Sequence, residues 1–161
     1  MSEFLHYFIL KLPFVLYIVL LVNAKQAFMS NKNVTALKIK SLSISSILFL
    51  FYPIIISLPI IKYFPSFDSL IEVSYILVDV LGIISSVYIF KSISKVEYIK
   101  KSLKISQFMS AFHILISCIV VGIVFRLQST DFITRITQQS LNILLSIIIF
   151  ILATKIQKVI K

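Results

Sequence analysis

Two glycines, one cysteine and no tryptophan occur among 161 residues, and only six residues are acidic. Each scarcity excludes something. Both glycines, Gly82 and Gly122, lie inside apolar runs, so no glycine-rich loop is left to cradle a phosphate. The lone Cys118 excludes an intrachain disulfide and a thiolate cluster, and its expected role is a small, adaptable packing residue. The two histidines, His6 and His113, are far apart in sequence and in expected depth, which argues against a metal site and against bis-histidine haem. Ser117 beside Cys118 has no adjacent base, so nucleophilic catalysis has no support. Neither an enzyme nor a cofactor is expected.

What the chain has in abundance is apolar sequence. Hydrophobic residues make up 59% of it and charged residues 14%, with a mean hydropathy of +1.04. The apolar residues form blocks rather than stripes. A hydrocarbon core of ~30 Å needs about 20 helical residues at about 1.5 Å each. The blocks are Phe4 to Ala24, Ser43 to Ile61, Leu70 to Phe90, Phe108 to Phe125 and Leu141 to Ala153. The fifth is short unless it begins before Ser140 or runs into the tail. Period-two alternation, the mark of a membrane barrel, is absent. No linker, repeat or second domain interrupts residues 1–161, so the expected fold is all-α, a polytopic five-transmembrane-helix bundle.

Val22-Asn23-Ala24 before Lys25 has the look of a small-residue cleavage site. Against cleavage, the leading residues carry Glu3 and no early Lys or Arg, and the block is long. The expectation is a retained transmembrane helix. In place of tryptophan, seven tyrosines supply interfacial rings, with Tyr63, Tyr88 and Tyr98 near block ends.

The net charge of +10 is unevenly placed. The connections Lys25 to Lys40 and Lys91 to Lys104 carry four and five lysines, and the tail from Lys155 carries three. The alternate side has only Lys62, Arg126 and Arg135, with Asp68, Asp131 and Glu3. This positive-inside asymmetry places the N-terminus outside and the C-terminus in the cytoplasm, in a cell membrane. The basic residues flank spans and form no stripe with interleaved aromatics, so nucleic acid is not expected as a partner. Anionic lipid headgroups are; a second copy or a larger membrane complex would complete the list. Lys91 to Lys104 reads either as an interfacial helix or as an extension of spans three and four. The Asn33-Val34-Thr35 sequon falls on the cytoplasmic side and carries no weight.

Pro53 and Pro59 punctuate span two, and each frees the carbonyl four residues earlier, at Phe49 and Ile55. A helix kinked at both prolines is expected, with a gating hinge as the functional alternative. Ser129 or Thr130 before Asp131 offers a helix cap for a surface helix or an outward extension of span five.

A carboxylate at mid-depth in a span costs several kcal/mol to ionise, and Asp79 is one. At 100° per residue, Glu72, Tyr75, Asp79, Gly82 and Ser86 fall within roughly 80° of one helix face. Gly82 is expected to let another helix approach, and Gly122 to do the same in span four. Ser106, Ser110, His113 and Ser117 form a second stripe within about 60°. Asp79 lies ~14 Å below the outer end of its span, Ser117 close to that depth, and Lys11 of the parallel span one within a helical turn of it. His6 matches Glu72 in the same way. Matched depth suggests the pairs Lys11–Asp79 and His6–Glu72, although His6 and Lys11 point about 140° apart.

Asp79 is therefore either half of a structural pair or a protonatable group on a path with Glu72, Lys11, Tyr75, His113 and Ser117. The first reading makes the chain a non-catalytic membrane subunit or scaffold and is the preferred expectation; the alternative is a small proton- or cation-linked transporter or channel. The orientation is testable by itself. With Cys118→Ser as background, an impermeant thiol reagent added outside should label Asp68→Cys and leave Lys101→Cys untouched; the reverse pattern would invert the topology.

Overall fold

The computed structural model describes residues 3–29, 32–63, 67–127 and 132–160, nearly all of them helical. Five helices follow in chain order: α1 (Glu3–Met29), α2 (Lys32–Tyr63), α3 (Phe67–Ser92), α4 (Val96–Leu127) and α5 (Phe132–Val159). All five are long and apolar enough to cross a membrane. The fifth span begins before Ser140 and also runs into the tail, which removes its apparent shortness.

Which residues face outward confirms the solvent. Leu48, Phe108, Phe125 and Leu144 are exposed, whereas Ser85, Ser102, Ser106, His113 and Asn142 are buried. A water-soluble bundle would do the opposite. Here the exterior is matched to lipid tails and the polar side chains turn inward, as expected of an integral, multi-pass helical membrane protein.

Each helix packs against its neighbours in sequence, and α1 also packs against α5, closing a ring of five. Short connections make the order sequential. At the α3–α4 turn, Ser94 N–H donates to the Lys91 carbonyl at 3.1 Å and the Ser94 hydroxyl reaches the same oxygen at 2.7 Å. Glu97 stands in the first turn of α4 and Lys91 in the last turn of α3, each of the sign that suits its helix end. Only residues 93–95 separate the two helices, so Lys91 to Lys104 is an extension of the spans rather than an interfacial helix. Tyr88 and Tyr98 stack there at 6.0 Å, where interfacial rings are expected. At the other end, Phe125 and Phe132 meet edge-to-face at 4.9 Å across the α4–α5 connection. Ser129 to Asp131, the expected cap, lies outside the described residues.

α2 stays helical through Pro53 and Pro59. Pro13 inside α1 is a third intrahelical proline, and by the same rule it frees the carbonyl of Ile9. Ile9 and Phe49, the residues whose carbonyls Pro13 and Pro53 release, both line one apolar groove of about 340 Å³ between α1 and α2.

The glycines behave differently from one another. At Gly82 an added Cβ would stand 3.0 Å from Leu50 Cδ1 and 3.4 Å from Met109 Sδ, so α2 and α4 side chains, not a helix backbone, fill the notch. Gly122 meets nothing within 4 Å; the expectation of close packing there is not fulfilled, because that face of α4 looks outward. Cys118 is likewise exposed rather than packed, since it lies on the outward face next to buried Ser117. Gly82→Ala should therefore be less favourable than Gly122→Ala by about 1–2 kcal/mol of stability in mixed micelles. Gly122→Ala should be neutral or gain up to ~1 kcal/mol from helix propensity. Equal losses at both positions would contradict this packing.

Candidate functional site

In the half of the bundle where α1, α3 and α5 begin, all five helices contribute to one polar cavity of about 330 Å³. The α3 stripe supplies Glu72, Tyr75 and Asp79, and α1 supplies Tyr7, Leu10, Lys11 and Phe14 at helical spacing. His113 comes from α4, Pro53, Ile56 and Ser57 from α2, and Gln138, Gln139 and Asn142 from α5. Glu72, Tyr75, Asp79, Lys11 and His113 thus share one cavity, although depth reasoning had set Ser117 rather than His113 level with Asp79. The α3 face continues below the cavity with Gly82 and with Ser86, whose hydroxyl lies 3.1 Å from that of Ser46 on α2.

The direct Lys11–Asp79 ion pair does not form. Among the described residues the one ion pair is Lys101–Glu97 at 2.9 Å, on an exposed helix face where it contributes little. Lys11 Nζ is held instead over three aromatic rings, 5.2 Å from the Tyr7 centroid, 5.4 Å from Tyr75 and 5.5 Å from Phe14. Ring faces carry the negative part of the aromatic quadrupole and attract an ammonium, by about 2 kcal/mol when desolvated. Asp79, 5% exposed, remains within electrostatic reach of Lys11 and Glu72 and has no hydrogen-bond or ion-pair partner among the described residues. The side chain of His6 lies outside the described residues, and with it the His6–Glu72 pairing.

The walls are braced by hydrogen bonds. The Tyr7 hydroxyl shares its proton between the Gln138 carbonyl at 2.9 Å and Asn142 Oδ1 at 2.8 Å. Tyr75 donates to Gln139 Oε1 at 2.8 Å, and Asn142 Nδ2 donates to the same oxygen at 3.2 Å. His113 stacks on Phe14 at 5.1 Å, meets Tyr75 edge-on at 5.6 Å, and bonds through Nδ1 to the Ser146 hydroxyl at 2.8 Å. Its Nε2 is buried and has no partner. Ser117, one turn further along α4, is also buried with an unbonded hydroxyl, but it does not line the cavity.

About 9 Å beyond Asp79 along α3, at the rise of a helix, the polarity changes character. Tyr17 of α1, Ser85 of α3 and Ser102 and Ser106 of α4 join in a closed hydroxyl cluster. The Tyr17–Ser85 and Ser85–Ser102 distances are both 2.6 Å. Ser106 and Ser110 also donate to the carbonyls one turn back on α4, so their polarity is absorbed by the backbone. None of Tyr17, Ser85, Ser102 and Ser106 lines the polar cavity. Glu72, Asp79 and Lys11 stand around a cavity in one half of the bundle, whereas the hydroxyl cluster in the other half carries no formal charge.

Sequence reasoning missed the α5 wall and the rings. Gln139, Asn142 and Ser146 stand at i, i+3 and i+7, the same signal that exposed the α3 and α4 stripes. It was hidden because the apolar block starts only at Leu141, so Gln138 and Gln139 read as surface. The aromatic residues around Lys11 carry no sequence signal beyond ordinary apolar positions.

Among the described residues no three His, Cys, Asp or Glu side chains group as metal ligands. The arrangement can hold a proton or a cation against its carboxylates. Comparisons with known protein families, curated proteins and solved structures find no match to this chain.

Because Lys11 and Asp79 interact across the cavity rather than in contact, their coupling should be modest. A double-mutant cycle with Lys11→Met and Asp79→Leu, read by reversible unfolding in mixed micelles, should give about 1–2 kcal/mol. A coupling of about 3–5 kcal/mol is the mark of a contacting buried pair and would refute the separated geometry.

Proposed function

We propose that this chain is a small transport protein of the cell membrane, linked to protons or cations, with Asp79 as the group that takes the charge. The observation carrying this reading is the shared polar cavity, with both carboxylates lining it and Asp79 unpartnered. A structural pair holding the bundle together would be dry and in contact. A site for exchange needs room, an unsatisfied charge, and groups nearby that accept a change of protonation. Glu72 and Lys11 supply the flanking charges, while Tyr75 and His113 supply walls that hydrogen-bond and stack. With the N-terminus outside, as the lysine distribution argues, the cavity belongs to the outer half of the membrane and the hydroxyl cluster to the cytoplasmic half. The cytoplasmic lysines rest against anionic headgroups.

A subunit or scaffold role is the second reading, and the Tyr17–Ser85–Ser102–Ser106 cluster favours it. Any carrier motion opening the inner half must break those bonds, whereas a static scaffold keeps them. Flux decides between the two. Purified chain in proteoliposomes enclosing a pH-sensitive dye should pass protons when a potential or a cation gradient is imposed. Asp79→Asn should keep the folded yield and lower the flux by about tenfold or more. Equal flux with and without the Asp79 carboxylate, or none above empty vesicles, would leave the scaffold reading in its place.

A further inference from the structure

The cavity's own charge states what kind of solute balances it. Lys11, Glu72 and Asp79 are its formally charged lining residues. His113 is written neutral: an imidazolium donates from both nitrogens, and here Nε2 is buried without an acceptor. From every helix around Asp79 the described titratable neighbours are Lys11 on α1, Glu72 and Tyr75 on α3, His113 on α4 and Tyr7 on α1; α2 and α5 contribute none. One ammonium against two carboxylates leaves the site with one negative charge in excess. In a low-dielectric site that imbalance is costly. A monocation neutralises it; a zwitterion leaves it unchanged, and an anion doubles it.

The rings define which monocation. Hard inorganic ions need a shell of several oxygen ligands, whereas aromatic faces favour ammonium groups. Tyr7, Phe14 and Tyr75 already surround one ammonium, that of Lys11, with all three centroids 5.2–5.5 Å away. Lys11 is in effect a tethered amine in an amine-shaped box. The volume, about 330 Å³, is at the small end of ligand sites.

We propose that the cavity binds a small organic amine as its monocation, an assignment that rests on the cavity being the working site. Asp79 and Glu72 provide the counter-charge and the faces of Tyr7 and Tyr75 provide the wall, beside the Lys11 ammonium that the same rings already hold. A proton on Asp79 balances the charge equally well. Amine and proton therefore compete for one site, so binding of the amine releases a proton.

Benzylamine, benzyl alcohol and benzoate, matched in size and differing in charge, test this by calorimetric titration of the detergent-purified full chain. Benzylamine should bind at least about tenfold more tightly than either of the others. Asp79→Asn and Glu72→Gln should each weaken it by a similar factor, and Lys11→Met should tighten it by removing the like charge that shares the rings. Benzoate or benzyl alcohol binding as tightly as benzylamine would overturn the assignment, as would an unchanged Kd in both carboxamide variants. The wild-type comparison decides the matter even if a variant does not fold. Proteoliposomes separate the two proposals. Benzylamine binding without any flux overturns transport and keeps the ligand class; proton flux without benzylamine binding overturns the ligand class and keeps transport.

Discussion

Hydrocarbon accepts no hydrogen bonds, and the rest of this structure follows from that constraint. A polar side chain on a membrane-spanning helix must find its partner on its own helix, on a neighbour, or in a cavity. The bundle uses all three. Ser86, Ser106 and Ser110 bond carbonyls one turn back. Tyr17, Ser85 and Ser102 bond across helices. Glu72, Asp79 and Lys11, which neither device satisfies, line the cavity to which all five helices contribute. The ring order of the helices serves this arrangement, because closure of α1 on α5 brings Tyr7 and Lys11 to the same wall as Gln139 and Asn142.

The two halves of the bundle handle polarity in opposite ways. Hydroxyls are small, neutral and both donors and acceptors, so four of them close into a cluster that satisfies itself. Carboxylates accept only, and an ammonium donates only, so Asp79, Glu72 and Lys11 need room to be solvated or bound. The neutral hydroxyl cluster and the charged cavity thus stand about 9 Å apart along α3, at the rise of a helix. That asymmetry is what any carrier or channel reading of this chain must work with.

Lys11 shows how local packing decides between electrostatic options of similar strength. A buried ion pair must recover a desolvation cost from a single good contact. Three ring faces offer a diffuse attraction with no charge to desolvate on the other side. With Phe14 one turn below and Tyr7 one turn above it on the same helix, Lys11 finds two of its rings without any tertiary adjustment, and Tyr75 of α3 adds the third. Asp79 is thereby left without a contacting cation.

The sequence by itself determined the number of spans, their order, and the inward-facing stripes on α3 and α4, because span length and helical period are set by bilayer thickness and backbone geometry. It also put Lys11 within a helical turn of Asp79 in depth, since rise per residue is constant, but placed His113 deeper, level with Gly82, and Ser117 level with Asp79. Azimuth was another matter. Whether Lys11 reached Asp79 or three aromatic rings, whether Gly122 faced a helix or lipid, and whether Gln139 and Asn142 belonged to the site depended on how each helix is rotated against its neighbours. That rotation is the joint outcome of packing five helices at once, and no single helix encodes it.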